Sequence, residues 1–244
     1  MTAREKRVSE RYSLFDTIGE AIQPVHSDGY KFLAIGAGLT LLFFLLWPPL
    51  AWLAALLTAW IAYFFRDPAR VTPLRDGLVI APGDGRIAAI ERVRPPSELG
   101  LGDGERLRIS TFLSMFDVHI NRAPIAGRIT RSFYVPGSFL NAARDKASEE
   151  NERRAIVILT PAGVDIAVVQ IAGLIARRIV TFVGEGDTLG VGQRFGLIRF
   201  GSRVDVYLPP GRGALVSVGQ RAVGGETVLA DLRSDEPERE ARVQ

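Results

Sequence analysis

The chain has 244 residues, 47% of them hydrophobic and 23% charged, and a formal net charge of +3. That balance excludes an intrinsically disordered chain, and no basic stripe with interleaved aromatics supports nucleic-acid binding. The absence of cysteine excludes disulfides, thiolate metal sites and a cysteine nucleophile, and the two histidines, His26 and His119, are too few for a multi-histidine zinc centre.

Residues 1–31 form a polar N-terminal segment of mixed charge, in which residues 10–22 pattern as an amphipathic helix lying on a membrane surface. Residues 32–65 then run for 34 positions without a charge, which is a membrane signature. One straight helix of that length would reach about 51 Å, well beyond a hydrocarbon core of roughly 30 Å. Pro48-Pro49 removes two backbone donors at the centre and restricts Trp47, so a break is expected there, leaving two arms of about 16 residues and about 24 Å each. A helical hairpin entering and leaving on one side, or two short tilted spans, would both return the chain to its starting face. Lys31, Arg66 and Arg70 mark that face as cytoplasmic. A hairpin buried in a soluble core is the bland alternative, opposed by the lack of a polar face on either arm. A cleaved signal peptide is opposed by the roughly 30 polar residues ahead of the run and by its length.

From residue 66 to residue 232 the texture is short β-rich runs punctuated by Gly and Pro, including RIAAIERV, RLRISTF, GRITRSFYV, RAIVILT, GVDIAVVQIAG and RVDVYL. A mostly β, α+β fold is expected, with an antiparallel β-rich domain preceded by the helical hairpin. Residues 203–208 alternate so that one face is apolar and the other polar. Residues 141–154 read as an exposed loop or short surface helix, and residues 233–244 as a charged, frayed tail.

Three segments carry candidate chemistry. Ala81-Pro82-Gly83-Asp84-Gly85 places a carboxylate in a Gly-flanked turn before a strand, although such a sequence is also good turn chemistry. In FDVHINRAP, alternation points His119 away from the face of Val118 and Ile120, with Asn121 and Arg122 as hydrogen-bonding neighbours. Gly201-Ser202 joins two strand-like runs and is by itself an ordinary turn pair. No G-x-S-x-G elbow occurs, and the Gly-rich residues 184–196 lack a phosphate-loop lysine and read as turns. Arg177 and Arg178 suit either phosphate contact or a solvated strand end.

Taken together, the segments resemble the phosphatidylserine decarboxylase proenzymes of the short bacterial and archaeal-type branch. The resemblance runs from residue 24 to about residue 209 through FFRDPAR, APGDGRI, FDVHINRAPIAGRI, PGSFLNA, DKASEENER, QIAGLIARRI and GQRFGLIRFGSRVDVYLP, in that order. It implies a catalytic β domain behind a membrane hairpin at the cytoplasmic face of the inner membrane. It further implies self-cleavage between Gly201 and Ser202, giving a large β chain of residues 1–201 and a small α chain of residues 202–244, with Ser202 converted to a pyruvoyl cofactor. This group would form a Schiff base with phosphatidylserine and release carbon dioxide and phosphatidylethanolamine, with no metal involved.

The matching site residues are Ser202, His119 as base and Asp84 orienting the imidazole; by their chemistry Arg122, Arg177 and Arg178 are candidate headgroup contacts, a residue type that also serves ordinary surface pairing. Two departures stand out: Gly83 replaces an alanine of the family's A-D-G segment, and Arg203 replaces the threonine of its Gly-Ser-Thr. Assembly into a higher homo-oligomer stays open. A membrane-anchored, non-enzymatic β adaptor of biotinyl-like or transport-accessory type is the competing reading.

Overall fold

The computed structural model describes residues 23–137, 151–173, 178–199, 202–239 and 241–242. The expected amphipathic helix at residues 10–22 and the segment from residue 138 to residue 150 lie outside the described residues. The chain divides into two compact units, Met1–Ala69 and Arg70–Gln244.

In the first unit, α1 (Ser27–Leu46) and α2 (Pro48–Phe64) are separated by Trp47, whose extended backbone (φ −159°, ψ 96°) breaks the helical path. Pro48 and Pro49 occupy the first two positions of α2, where a missing N–H costs nothing because those donors have no helical partner. The two helices double back on each other. A Cβ at Gly36 would lie 2.4 Å from Thr58 Oγ1, Phe32 stacks on Phe65 at 5.5 Å, and Val25 bridges Arg66 antiparallel. The chain therefore enters and leaves at one end, where the His26 N–H donates to the Phe65 carbonyl at 2.8 Å and the Asp67 N–H to the Pro24 carbonyl at 2.7 Å.

α1 starts five residues before the apolar run and spans 20 residues, about 30 Å, the thickness of a hydrocarbon core. By length and composition it is able to cross a membrane, whereas α2 has 17 residues. Leu41, Leu45, Leu46, Trp52 and Leu56 are all more than 60% exposed among the described residues, an apolar surface that suits lipid contact. Both threonine hydroxyls, Thr40 and Thr58, donate to carbonyls one turn back, so neither is left unmet within the apolar run.

The second unit is antiparallel β. Its strands in chain order are β1 (Leu78–Ile80), β2 (Gly85–Val93), β3 (Arg106–Leu113), β4 (Ile120–Arg122), β5 (Gly127–Val135), β6 (Arg153–Leu159), β7 (Asp165–Ile171), β8 (Ile179–Thr181), β9 (Thr188–Leu189), β10 (Arg194–Ile198), β11 (Ser202–Tyr207), β12 (Arg221–Ala222) and β13 (Val228–Asp231). Eight form one sheet in the order β12-β2-β3-β11-β7-β6-β5-β9. β4-β10-β8 and β1-β13 make two small sheets. Between them lies the main core, to which the large sheet gives Ile87, Ile109, Ile129, Ile158, Val204 and Val206 and the small sheets give Val79, Phe195 and Leu229. Each such side chain contributes roughly 1.5–3 kcal/mol by leaving water.

β11 keeps its apolar and polar faces but is buried on both, and two further expectations are corrected. All six residues of β11 are buried, because the second face of the sheet is also covered, by Leu99, Leu101 and Phe133 packing over Tyr207 and Val157. Its two charges, Arg203 and Asp205, survive there as an ion pair at 2.9 Å. The polar stretch before β6 ends inside the fold: Asn151 is fully buried, its Nδ2 donating to the Ala172 carbonyl at 2.7 Å, and residues 153–154 already belong to the strand. The tail is pinned through residue 239, where the Arg239 N–H donates to the Ala214 carbonyl, Arg92 pairs with Glu238 and Arg212 with Asp235.

Candidate active site

Ser202 opens β11 with Leu113 as its partner on β3. Alternation sends its side chain to the face of Val204 and Val206, toward the main core. The residue is fully buried, and its Oγ has no hydrogen-bond partner among the described residues. A buried hydroxyl left unsatisfied costs about 1–3 kcal/mol, so alanine would be the more stable choice here. Gly201 lies outside the described residues.

His119 immediately precedes β4, and its carbonyl accepts from the Ile198 N–H at 3.3 Å, at the end of β10. Three residues separate that end from Ser202, so the histidine stands beside the strand that leads into the Gly-Ser step. Val118 and Ile120 pack with Leu197 on one side, as alternation indicates, but the other side is enclosed too and His119 is 2% exposed. Its Nδ1 lies 2.9 Å from the Asp117 carbonyl oxygen. A carbonyl only accepts, so that contact assigns the ring proton to Nδ1 and the basic lone pair to Nε2. The Asp117 carboxylate holds the loop: it accepts from the Ser114 N–H at 2.9 Å, from the Ser114 hydroxyl at 2.6 Å and from Arg221 at 2.9 Å.

The Asp84 carboxylate takes both oxygens to Arg70 Nη2, at 2.8 and 2.7 Å, and accepts the Gly224 N–H at 2.8 Å. This pairing occupies Asp84 with Arg70 and Gly224, while His119 Nδ1 faces the Asp117 carbonyl. It also reassigns Arg70, which the sequence offered as a membrane-flanking charge. The side chain of Arg70 is only 12% exposed and is committed to Asp84.

The three motifs nonetheless meet. The Arg122 N–H donates to the Pro82 carbonyl at 2.8 Å, tying the Asp84 turn to β4. Leu113, the backbone partner of Ser202, puts its Cδ2 3.2 Å from where a Gly83 Cβ would stand, and Asn121 Nδ2 would be 3.1 Å from it. A Cβ there would press on both side chains, which glycine avoids. A Cβ at Gly85 would fall 2.0 Å from the Phe112 carbonyl oxygen, so the turn closes against β3 only with glycine.

Several participants escaped the sequence reading. Gln170 on β7, buried opposite Val204, donates to Asn121 Oδ1 at 2.7 Å. That leaves Asn121 Nδ2, a buried donor, without a partner among the described residues. Asp117 and Arg221 are 104 positions apart, and Asp84 and Gly224 are 140 apart, so local patterning carries no trace of either pair. Of the expected headgroup arginines, Arg122 is buried and donates to the Gly192 carbonyl at 3.2 Å. Arg178 is exposed, and Arg177 lies outside the described residues.

The family model for phosphatidylserine decarboxylase matches residues 57–230, a span that includes Asp84, His119 and Ser202. The chain belongs to the phosphatidylserine decarboxylase family. A phosphatidylserine decarboxylase proenzyme of Cereibacter sphaeroides is 57% identical over 92% of this chain and 97% of its own length. One of Nitrobacter winogradskyi is 58% identical over 87% of this chain and 86% of its own. Both decarboxylases are named as proenzymes, and neither gives support to a non-enzymatic adaptor.

Proposed function

We propose that the chain is the precursor of a membrane-associated, pyruvoyl-dependent phosphatidylserine decarboxylase that matures by cutting itself between Gly201 and Ser202. The observation that carries this reading is the buried Ser202 hydroxyl at a strand start, without a hydrogen-bond partner among the described residues and three residues past the β10 end that bonds the His119 carbonyl, in a chain closely similar to decarboxylase proenzymes.

A serine hydroxyl is a weak nucleophile and a peptide carbonyl a weak electrophile, so the step needs a base in place. His119 Nε2 takes the hydroxyl proton as Ser202 Oγ attacks the Gly201 carbonyl. The acyl group moves from nitrogen to oxygen, giving an ester. Loss of the Cα proton and departure of the Gly201 carboxylate leave dehydroalanine. Its enamine tautomerises, and one water releases ammonia and leaves the pyruvoyl cap on residue 202. Asp84 acts through the fold: with Arg70 and the Gly224 N–H it fixes the turn that packs on Asn121 and Leu113.

The pyruvoyl group supplies a ketone-derived electron sink for the carboxylate bond, which standard side chains lack. The chain provides the rest. His119, held by the Asp117 carbonyl, moves protons at the substrate α-carbon. Asn121 Nδ2 offers a buried donor to developing negative charge. Burial of Ser202 and its neighbours excludes water from the reacting carboxylate. Arg122, Arg177 and Arg178 are headgroup contacts, and α1 with α2 anchors the enzyme at the cytoplasmic face of the inner membrane. The β chain of residues 1–201 and the α chain of residues 202–244 stay together, because β11 pairs with β3 on one side and β7 on the other.

Denaturing electrophoresis of purified wild type and Ser202→Ala tests the reading. Two chains and phosphatidylethanolamine formation are expected from wild type, and one inert chain from the variant. A processed, active Ser202→Ala protein contradicts it.

A further inference from the structure

Beside the candidate site, the turn of residues 114–117 shows two large apolar side chains to solvent: Phe116 is 61% exposed and Met115 36%. Single exposed apolar residues are common and need no cause. Here they come with a rigid mount and with cations. The Asp117 carboxylate accepts from both the N–H and hydroxyl of Ser114, which closes the turn, and from Arg221, which ties it to β12.

Arg221 stands directly opposite Arg86 in the β12–β2 ladder, a like-charge pairing that disfavours the strand contact. One guanidinium meets Asp117; Arg86 donates to the Gly219 carbonyl at 3.1 Å, a neutral partner. The Arg221 side chain is 63% exposed, and Val218, three residues before it, is 58% exposed. Ladder register puts this patch at the end of the sheet where Ser202 lies, since Phe112 pairs with both Arg86 and Arg203.

We propose that this rim is a membrane-contact face, in which Met115 and Phe116 enter the headgroup–acyl boundary of an anionic bilayer while Arg86 and Arg221 meet lipid phosphates. Apolar tips flanked by guanidiniums match that boundary chemically, with hydrocarbon on one side and negative charge on the other. The same turn carries His119 two residues after Asp117, so docking brings the candidate base to headgroup depth. The inference rests on the lipid-decarboxylase reading for its choice of occupant.

The chain has no cysteine, so Phe116→Cys and the control Leu159→Cys, at the opposite end of β6 from this rim, each give a single labelling site. With an environment-sensitive fluorophore attached to the full chain in phosphatidylglycerol-containing vesicles, the label at position 116 is expected to shift to the blue and resist iodide quenching. The label at position 159 should do neither. In parallel, Phe116→Asp is expected to raise KM about tenfold or more on vesicles of phosphatidylserine, leaving kcat/KM on a short-chain, monomerically dispersed phosphatidylserine unchanged. A water-like, fully quenched label at position 116, or equal losses on both substrates, overturns the proposal. A wild-type protein inert toward both substrates contradicts the decarboxylase reading instead, and the label's emission still decides the docking face.

Discussion

Ser202 and His119 show how differently two site residues can be read from a sequence. The Gly-Ser pair is unremarkable as text, and only burial without a hydrogen-bond partner among the described residues marks Ser202 as costly to keep. Ser202→Ala should therefore block cleavage while raising unfolding stability by about 1 kcal/mol or leaving it unchanged, measured by thermal denaturation of the uncleaved chain. His119→Ala should slow or stop maturation, and any matured fraction should decarboxylate poorly; wild-type cleavage and turnover would remove His119 from both steps. Asp84 was legible as a candidate, but its partner was not, because a salt bridge to Arg70 and a bond to the Gly224 N–H leave no mark on local pattern. Asp84→Asn, by weakening that clamp on the Asp84 turn, should impair cleavage more than turnover of the matured enzyme. Equal losses in a cleavage time course and a turnover assay would give Asp84 a different role.

At the scale of elements, the long strands were legible as β-rich runs of six or more residues between Gly and Pro, whereas β4, β8, β9 and β12 have two or three residues and no run to read. Alternation held on β11, and the structure adds that its polar face is buried as well. The Arg203–Asp205 pair is 4% and 0% exposed at its side chains. Removing one partner strands a charge, so Arg203→Met should cost about 3–5 kcal/mol, and Arg203→Met with Asp205→Leu should recover most of it in denaturant unfolding. Beside it, burial and then the Asp205 carboxylate push the Tyr207 phenol up to about 12 from a reference value of 10.0. The unfolded chain then loses its proton first as pH rises, so stability present below pH 10 is lost between about 10 and about 12. Tyr207→Phe should flatten that alkaline decline in a pH series of unfolding midpoints.

Over the whole molecule, the division into an apolar helical pair and a β unit was visible in composition, since 34 residues without a charge sit beside short alternating runs. The closing of the hairpin on itself was less so: it depends on Val25 meeting Arg66 and on Gly36 admitting Thr58, contacts that no periodicity encodes. In the β unit, the proposed small chain contributes β11, β12 and β13, which pair with four strands from the large one, β3 and β7, β2, and β1. Cleaved chains should therefore copurify and separate only on denaturation. Intact mass of the denatured, purified protein tests the central claim most directly. The account predicts a fragment spanning residues 202–244 that is lighter by one ammonia than the hydrolytic product and gains two hydrogens on borohydride reduction. A single full-length species, or a fragment with an ordinary serine amine at its start, would contradict it.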